Sequence, residues 1–378
     1  MSAISAESRA TEFSDSERIQ RAVRDNAWLH FTQMADYQDP ERRPLMLVRG
    51  EGTTVWDIDG NAYLDLLAGI YSVNAGYGRQ RIVDAMAAQA ALMPFVNPFG
   101  SISVPAAVLA DRLGDLAPLG GDARVFFTSG GSEAVESALK LAKQYHTING
   151  FPHRYKTVSR RVAYHGTTMG ALSVNGLSEA RVPFGPLVPG ARHAPMSHRY
   201  RCPYCREASA CTLMCYDEIE RIVEFEGPDQ VAAIILEPVQ NAGGCIPPGS
   251  PDYFKTIRKL CDDTGIPMIM DEVIRGVRPA RRPVRLRVLR RDSGSHHDRE
   301  RDHVILCPAG RCAGAQGDCR CIRRATGSRR AGPGRGRPRV RVPAWADLWR
   351  PPGFLRGGDR QSGHHARGGS PRPGERDG

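Results

Sequence analysis

The sequence predicts a doubly wound α/β domain with a mainly parallel sheet and a site at its carboxyl edge. Three observations predict it. Helix-like and strand-like stretches alternate from Gly76 to Gly276. The runs 231–236 and 266–270 are apolar throughout, as strands buried on both faces are. Glu237 and Asp271 follow directly at their carboxyl ends, where open α/β sheets place ligands.

In chain order, residues 16–33 mix charge with Val23, Trp28 and Leu29 at amphipathic spacing and read as a packing helix. Residues 53–65 alternate around Asp59-Gly60-Asn61 and read as a β-hairpin. Its acids do not make a calcium loop, because counting from Asp57 the sixth position is Ala62, not Gly, and the twelfth is Ala68, not Glu. Residues 82–93 are Ala-rich and helical, 104–116 form another helix, and 124–128 a short strand. Ser129-Gly130-Gly131-Ser132-Glu133 then opens a helix with Val135, Ala138, Leu139 and Ala142 on one face. A glycine turn entering a helix offers free backbone N–H groups and the positive dipole end to a phosphate, although Gly-Ser is equally an ordinary helix entry. Residues 158–164 read as a strand leading into Tyr164-His165-Gly166. Tyr164 can either lay its ring on a planar ligand or sit half-buried in a turn. Glu237 leads into the loop Asn241-Ala242-Gly243-Gly244, residues 251–263 form a helix closed by Gly265, and the strand 266–270 ends in the carboxylates Asp271 and Glu272.

The chain has 378 residues and a net charge of +11, enough length for two or three domains. Its charge is divided unevenly. Residues 278–378 hold 25 Arg, no Lys and 9 Asp plus Glu, a balance of 25 − 9 = +16, which leaves −5 for residues 1–277. The body therefore lacks the patterned basic face of a nucleic-acid binder. No signal-peptide core and no apolar run of about 18 residues occurs, so no membrane partner and a cytoplasmic location are expected. Cys202, Cys205, Cys211 and Cys215 cluster within 14 residues. Their uneven spacing leaves open zinc, an iron–sulfur cluster, or, preferred here, free thiols in a surface loop.

Four ordered segments, SGGSEAVESALKLAK, YHGTTMGALS, ILEPVQNAGG and IPMIMDEVIRG, together resemble the class III aminotransferases, of fold type I among pyridoxal-phosphate enzymes. The upstream WDIDGNAYLDLLAGIYSVNAGYG is similar to that family's N-terminal segment. The resemblance covers about residues 40–276 and is nearest to members using ω-amino acids or β-alanine with pyruvate. It implies three divisions: 1–75, an N-terminal segment and hairpin of the small domain; 76–276, an incomplete cofactor-binding large domain; and 277–378, an Arg/Gly/Pro-rich tail expected to be disordered or irregular. It also implies pyridoxal 5'-phosphate as cofactor, an amino donor and a 2-oxo acid as small-molecule partners, and a homodimer for the intact family member. By the same resemblance, Gly131 and Ser132 hold the phosphate, and Tyr164 stacks on one ring face with His165 beside it. Val273 covers the other face, Asp271 pairs with the pyridine nitrogen, and Glu237 sits near the ring substituents. Ile70 and Tyr71 border the substrate pocket. The Asp271-Glu272 ending also resembles the acidic strand of a P-loop NTPase, but the chain contains no Gly-Lys pair.

One required residue is missing. The family's Schiff-base lysine lies about thirty residues past the DEV motif, whereas the last lysine here is Lys259. Lys140, Lys143, Lys156 and Lys255 fall on expected helices or a loop, so no catalytic lysine is assigned. Residues 278–378 hold 16 Gly and 10 Pro beside their 25 Arg, and no Lys, Asn, Tyr or Met, the composition of GC-rich DNA translated out of frame. Back-translated with permitted codons and read one nucleotide later, residues 277–290 can become FGRHGDPFGSEYYG, 297–313 TIAKGTMSSSAPLGAV, and 342–353 FQHGLTYGGHPV. All three resemble downstream segments of the family. The expectation is a frame change near Gly276-Val277, with the lysine codon straddling those of Glu300 and Arg301, and a chain that is catalytically dead. Two alternatives stay open: a non-catalytic or nonfunctional product of a disrupted gene, and a basic-tailed nucleic-acid-binding protein.

Overall fold

The computed structural model describes residues 16–39, 42–117, 123–205, 207–240 and 245–274, with the backbone of 303–306 and 320–322. The chain divides into two compact units, residues 1–330 and 331–378, and the second lies outside the described residues. The expected domain boundary at 276 and most of the tail lie outside them too.

An antiparallel sheet comes first, β1 (Leu47–Glu51), β2 (Thr54–Asp57) and β3 (Ala62–Leu64) in that order. The Asp57 carboxylate closes the β2–β3 turn by accepting from the Asp59 and Asn61 amides at 3.0 and 2.8 Å and from the Tyr63 hydroxyl at 2.7 Å. The expected hairpin is thus present, with β1 as an added strand. α1 (Ser16–Asn26) buries no residue, and Trp28 is 87% exposed, so the packing role read from its spacing is not met among the described residues. α2 (Ala68–Tyr71), α3 (Gln80–Leu92) and α4 (Val104–Leu116) bury only Leu113 between them. Residues 124–128 do not form the expected strand, and Val125 makes a single bridge. Its apolar side is satisfied differently: Val125 and Phe127 pack with Leu109 and Leu113 of α4.

The second sheet carries the core. Its order is β5 (Ala191–Ala194), β4 (Lys156–Arg160), β6 (Val231–Leu236), β7 (Met268–Asp271), β8 (His303–Leu306) and β9 (Arg320–Ile322). The pairs from β5 to β8 are parallel, and β9 is antiparallel to β8. β6 is buried along its whole length. Because side chains alternate along a strand, Ile234 and Leu236 enter one core cluster and Ala233 and Ile235 the other. The first is covered by α8 (Met214–Glu226) and α9 (Tyr253–Thr264) through Ile219, Val223, Ile257 and Leu260. The second is covered by α5 (Gly131–Ile148) and α6 (Met169–Val174) through Val135, Ala138, Ala142, Ala171 and Val174, and a short α7 (Ser178–Arg181) follows α6. Small residues at i, i+4 spacing let α5 lie close to the sheet. Buried His146 on α5 bonds the Ala232 carbonyl at 2.9 Å, and burial pushes its pKa down to about 4. α9 ends at Gly265 with φ 68°, as expected, and the Arg154 guanidinium donates to the Thr264 and Gly265 carbonyls at 3.0 and 3.2 Å.

Candidate functional site

The described strand exits of the parallel sheet and the start of α5 converge on one site. Gly130 is the N-cap of α5, and Gly131 and Ser132 are its first two residues, so their N–H groups have no partner within the helix. The Ser132 hydroxyl accepts from the Thr167 amide at 3.0 Å. Gly166 makes this approach possible. With φ +121°, it lies so close that a Cβ there would stand 2.5 Å from Ser132 Oγ. Glu133 braces the entry turn by accepting from the Ser129 amide at 2.7 Å. A helix N-terminus, a hydroxyl and a glycine-limited wall form an anion cradle.

Asp271 ends β7 and is buried. Its Oδ2 lies 2.8 Å from His165 Nδ1, and its Oδ1 accepts from the Val273 amide at 3.2 Å. A carboxylate only accepts, so His165 carries hydrogen on Nδ1. Its Nε2 is buried with no partner among the described residues. Next to it, Glu272 is also buried, and its pKa is pushed up to about 7, first by burial and then by the charge of Asp271. Sequence reasoning noted Glu272 only as the neighbour of Asp271 and gave it no role.

Glu237 lies just past β6, at the same sheet edge. Its Oε1 accepts the Tyr164 N–H at 3.3 Å, and its Oε2 is 3.5 Å from the guanidinium of fully buried Arg160. Arg160 was not anticipated. The only sequence signal was an arginine within the expected strand 158–164. Tyr164 is 40% exposed, between buried Ala163 and His165, and Val273 is half-buried. The structure therefore brings Gly131, Ser132, Tyr164, His165, Glu237, Asp271 and Val273 to one sheet edge. Ile70, 63% exposed, and Tyr71 lie in a left-handed turn over Ala68–Tyr71. This turn is held by Asp65, which accepts from the Gly69 amide and the Tyr77 hydroxyl at 2.7 and 2.8 Å. The loop Asn241–Gly244 lies outside the described residues.

Cys202, Cys205 and Cys215 are buried and Cys211 is partly so; all are free thiols. Among the described residues, no group of three or more His, Cys, Asp or Glu is arranged to hold a metal ion. Likewise, no described helix is long and apolar enough to cross a membrane. Lys156 lies on β4, not on a helix or loop, and is bound to Glu226 at 2.8 Å. Lys255 pairs with Asp252 at 2.8 Å, and Lys259 pairs with Asp263. Lys140 and Lys143 lie on α5.

The residues present fit a planar anionic cofactor at three points: the cradle at Ser132, the exposed ring of Tyr164, and the buried Asp271 carboxylate. A family model described as aminotransferase class-III matches residues 37–281. A probable aminotransferase of Mycobacterium tuberculosis is 47% identical over 251 residues, 66% of this chain and 52% of that protein. Taurine–pyruvate aminotransferase of Bilophila wadsworthia is 36% identical over 66% of this chain and 53% of that protein. The solved omega transaminase of Pseudomonas jessenii, in complex with PMP, superposes with a TM-score of 0.70 at 28% identity, covering 81% of this chain and 65% of that one. The chain spans about half the length of the curated relatives it matches.

Proposed function

We propose, from the premise that the chain belongs to the class III aminotransferases, that its site is built to transfer an amino group from an ω-amino acid or amine to a 2-oxo acid such as pyruvate. The amino acids of this chain as written do not complete that site. The observation that carries the reading is the joint presence, at one sheet edge, of the Ser132 cradle and the His165–Asp271 pair at 2.8 Å. The cofactor of the family is pyridoxal phosphate, which supplies an electron sink for the carbon beside the substrate nitrogen.

The amides of Gly131 and Ser132 and the Ser132 hydroxyl would hold the phosphate. Tyr164 would shield one face of the ring and Val273 the other. Asp271, oriented by His165, would keep the pyridine nitrogen protonated. No lysine is assigned to move the substrate proton: residues 260–378 contain none, Lys156, Lys255 and Lys259 pair with Glu226, Asp252 and Asp263, and Lys140 and Lys143 lie along α5. The family match ends at residue 281, close to where the proposed frame change falls, which supports a disrupted gene over a native basic tail.

Purified chain mixed with pyridoxal phosphate is expected to take it up reversibly. After borohydride reduction and dialysis, it should retain none covalently and show no transamination. Cofactor trapped on Lys140, Lys143, Lys156, Lys255 or Lys259, together with turnover, would sink the reading of an incomplete site.

A further inference from the structure

We infer that Arg160, Glu237 and the Tyr164 amide form a buried clamp that fixes the Tyr164 ring over the cofactor, so that Glu237 is a positioning residue and not a contact to the ring substituents. What Tyr164 covers rests on the cofactor reading above; the clamp itself does not. Arg160 ends β4 with 0% exposure. One terminal nitrogen donates to the Glu237 carbonyl at 2.6 Å and lies 3.5 Å from Oε2, and the other donates to Ser197 Oγ at 3.4 Å. The remaining carboxylate oxygen, Oε1, accepts the Tyr164 N–H at 3.3 Å. A guanidinium taken fully out of water must be paired. Here the pairing ties the exits of the adjacent parallel strands β4 and β6 to the residue that presents the ring.

The chain between Arg160 and Tyr164 would not adopt this path unaided. Val162, a β-branched residue, is left-handed at φ 63°. Gly176 holds this corner from outside. It accepts the Val162 N–H at 3.0 Å and donates to the Ala163 carbonyl at 2.7 Å, and a Cβ on Gly176 would fall 2.1 Å from the Arg160 carbonyl. A strained corner braced on both sides, with one exposed aromatic ring between two buried residues, indicates a ring set in place for use.

The test compares full-length Glu237→Ala and Glu237→Gln with wild type. Amide hydrogen exchange is read without cofactor, and pyridoxal phosphate affinity and induced visible circular dichroism are read with it. In Glu237→Ala, the Tyr164 amide should exchange about tenfold faster while the amides of 231–236 keep wild-type protection. Cofactor binding should weaken about tenfold, and the dichroism should fall. Glu237→Gln, which keeps an oxygen for the amide, should be intermediate, and it is read by the same criteria if the alanine variant fails to fold. Unchanged exchange at Tyr164 overturns the clamp. Changed exchange with unchanged affinity and dichroism overturns its link to the cofactor. Equal loss of protection at 231–236 reduces the pair to a fold support and overturns the positioning role. If wild type takes up no pyridoxal phosphate, the cofactor reading fails while the exchange result still decides the clamp.

Discussion

Asp271 and Glu272 are adjacent buried carboxyls with different environments. The first faces the His165 imidazole, while the second is buried beside the charge of the first. For Asp271→Asn, pyridoxal phosphate binding should weaken by about 2 kcal/mol, because a charge-assisted bond to the ring nitrogen is lost; titration by absorbance checks it. Glu272 makes a pH-dependent contribution. Its folded pKa of about 7 lies above the ordinary 4.5, so the folded state holds the proton more tightly. Stability then falls as pH rises from about 4.5 to about 7, by on the order of 3 kcal/mol. Buried His146 and half-buried His193, both pushed down to about 4 chiefly by desolvation, act in the opposite sense between pH 6.5 and 4. The check is therefore the difference between wild type and Glu272→Gln in urea unfolding at pH 5 and pH 8. Ser132 and Asp271 were legible in the sequence because a helix entry and a strand end fix where their side chains emerge. The contact between Glu237 and Arg160 was not, because Arg160 lies 77 residues away along the chain and one strand over.

At the scale of elements, two contrasts can be measured. Gly166→Ala places a methyl against Ser132 at a left-handed glycine. It should cost about 2 kcal/mol in chemical denaturation and remove cofactor binding with it. Ile234→Ala on β6 should cost about 2–5 kcal/mol, whereas Met86→Ala on α3, 56% exposed, should fall within about 0.5 kcal/mol. β6, α4, α5 and α9 were readable from apolar runs, period and the Gly265 cap. β5 was not, because ARHA offers no apolar run. α6 has only six residues, and α8 begins within the cysteine cluster, which was read as a loop. The 124–128 error has one physical source: an alternating apolar segment can be satisfied by a neighbouring helix as well as by a sheet.

At the scale of the molecule, the described core stands between two facing clusters around β6 and β7, and the site lies at its carboxyl edge. Sequencing the genomic locus is expected to show that restoring the frame near codon 276 yields a lysine from the codons of Glu300 and Arg301. The frame-restored chain should then retain pyridoxal phosphate covalently after borohydride reduction; an unshifted locus would end the proposal. His165 offers a way to follow occupancy of the whole molecule without either chemistry. Its Nδ1 lies 2.8 Å from Asp271 and its Nε2 is buried with no partner among the described residues, so the two nitrogens stand in different surroundings and should give separate ¹⁵N resonances. Any molecule that settles against Asp271 will shift the Nδ1 signal, making this one imidazole a spectroscopic gauge of whether the site is filled.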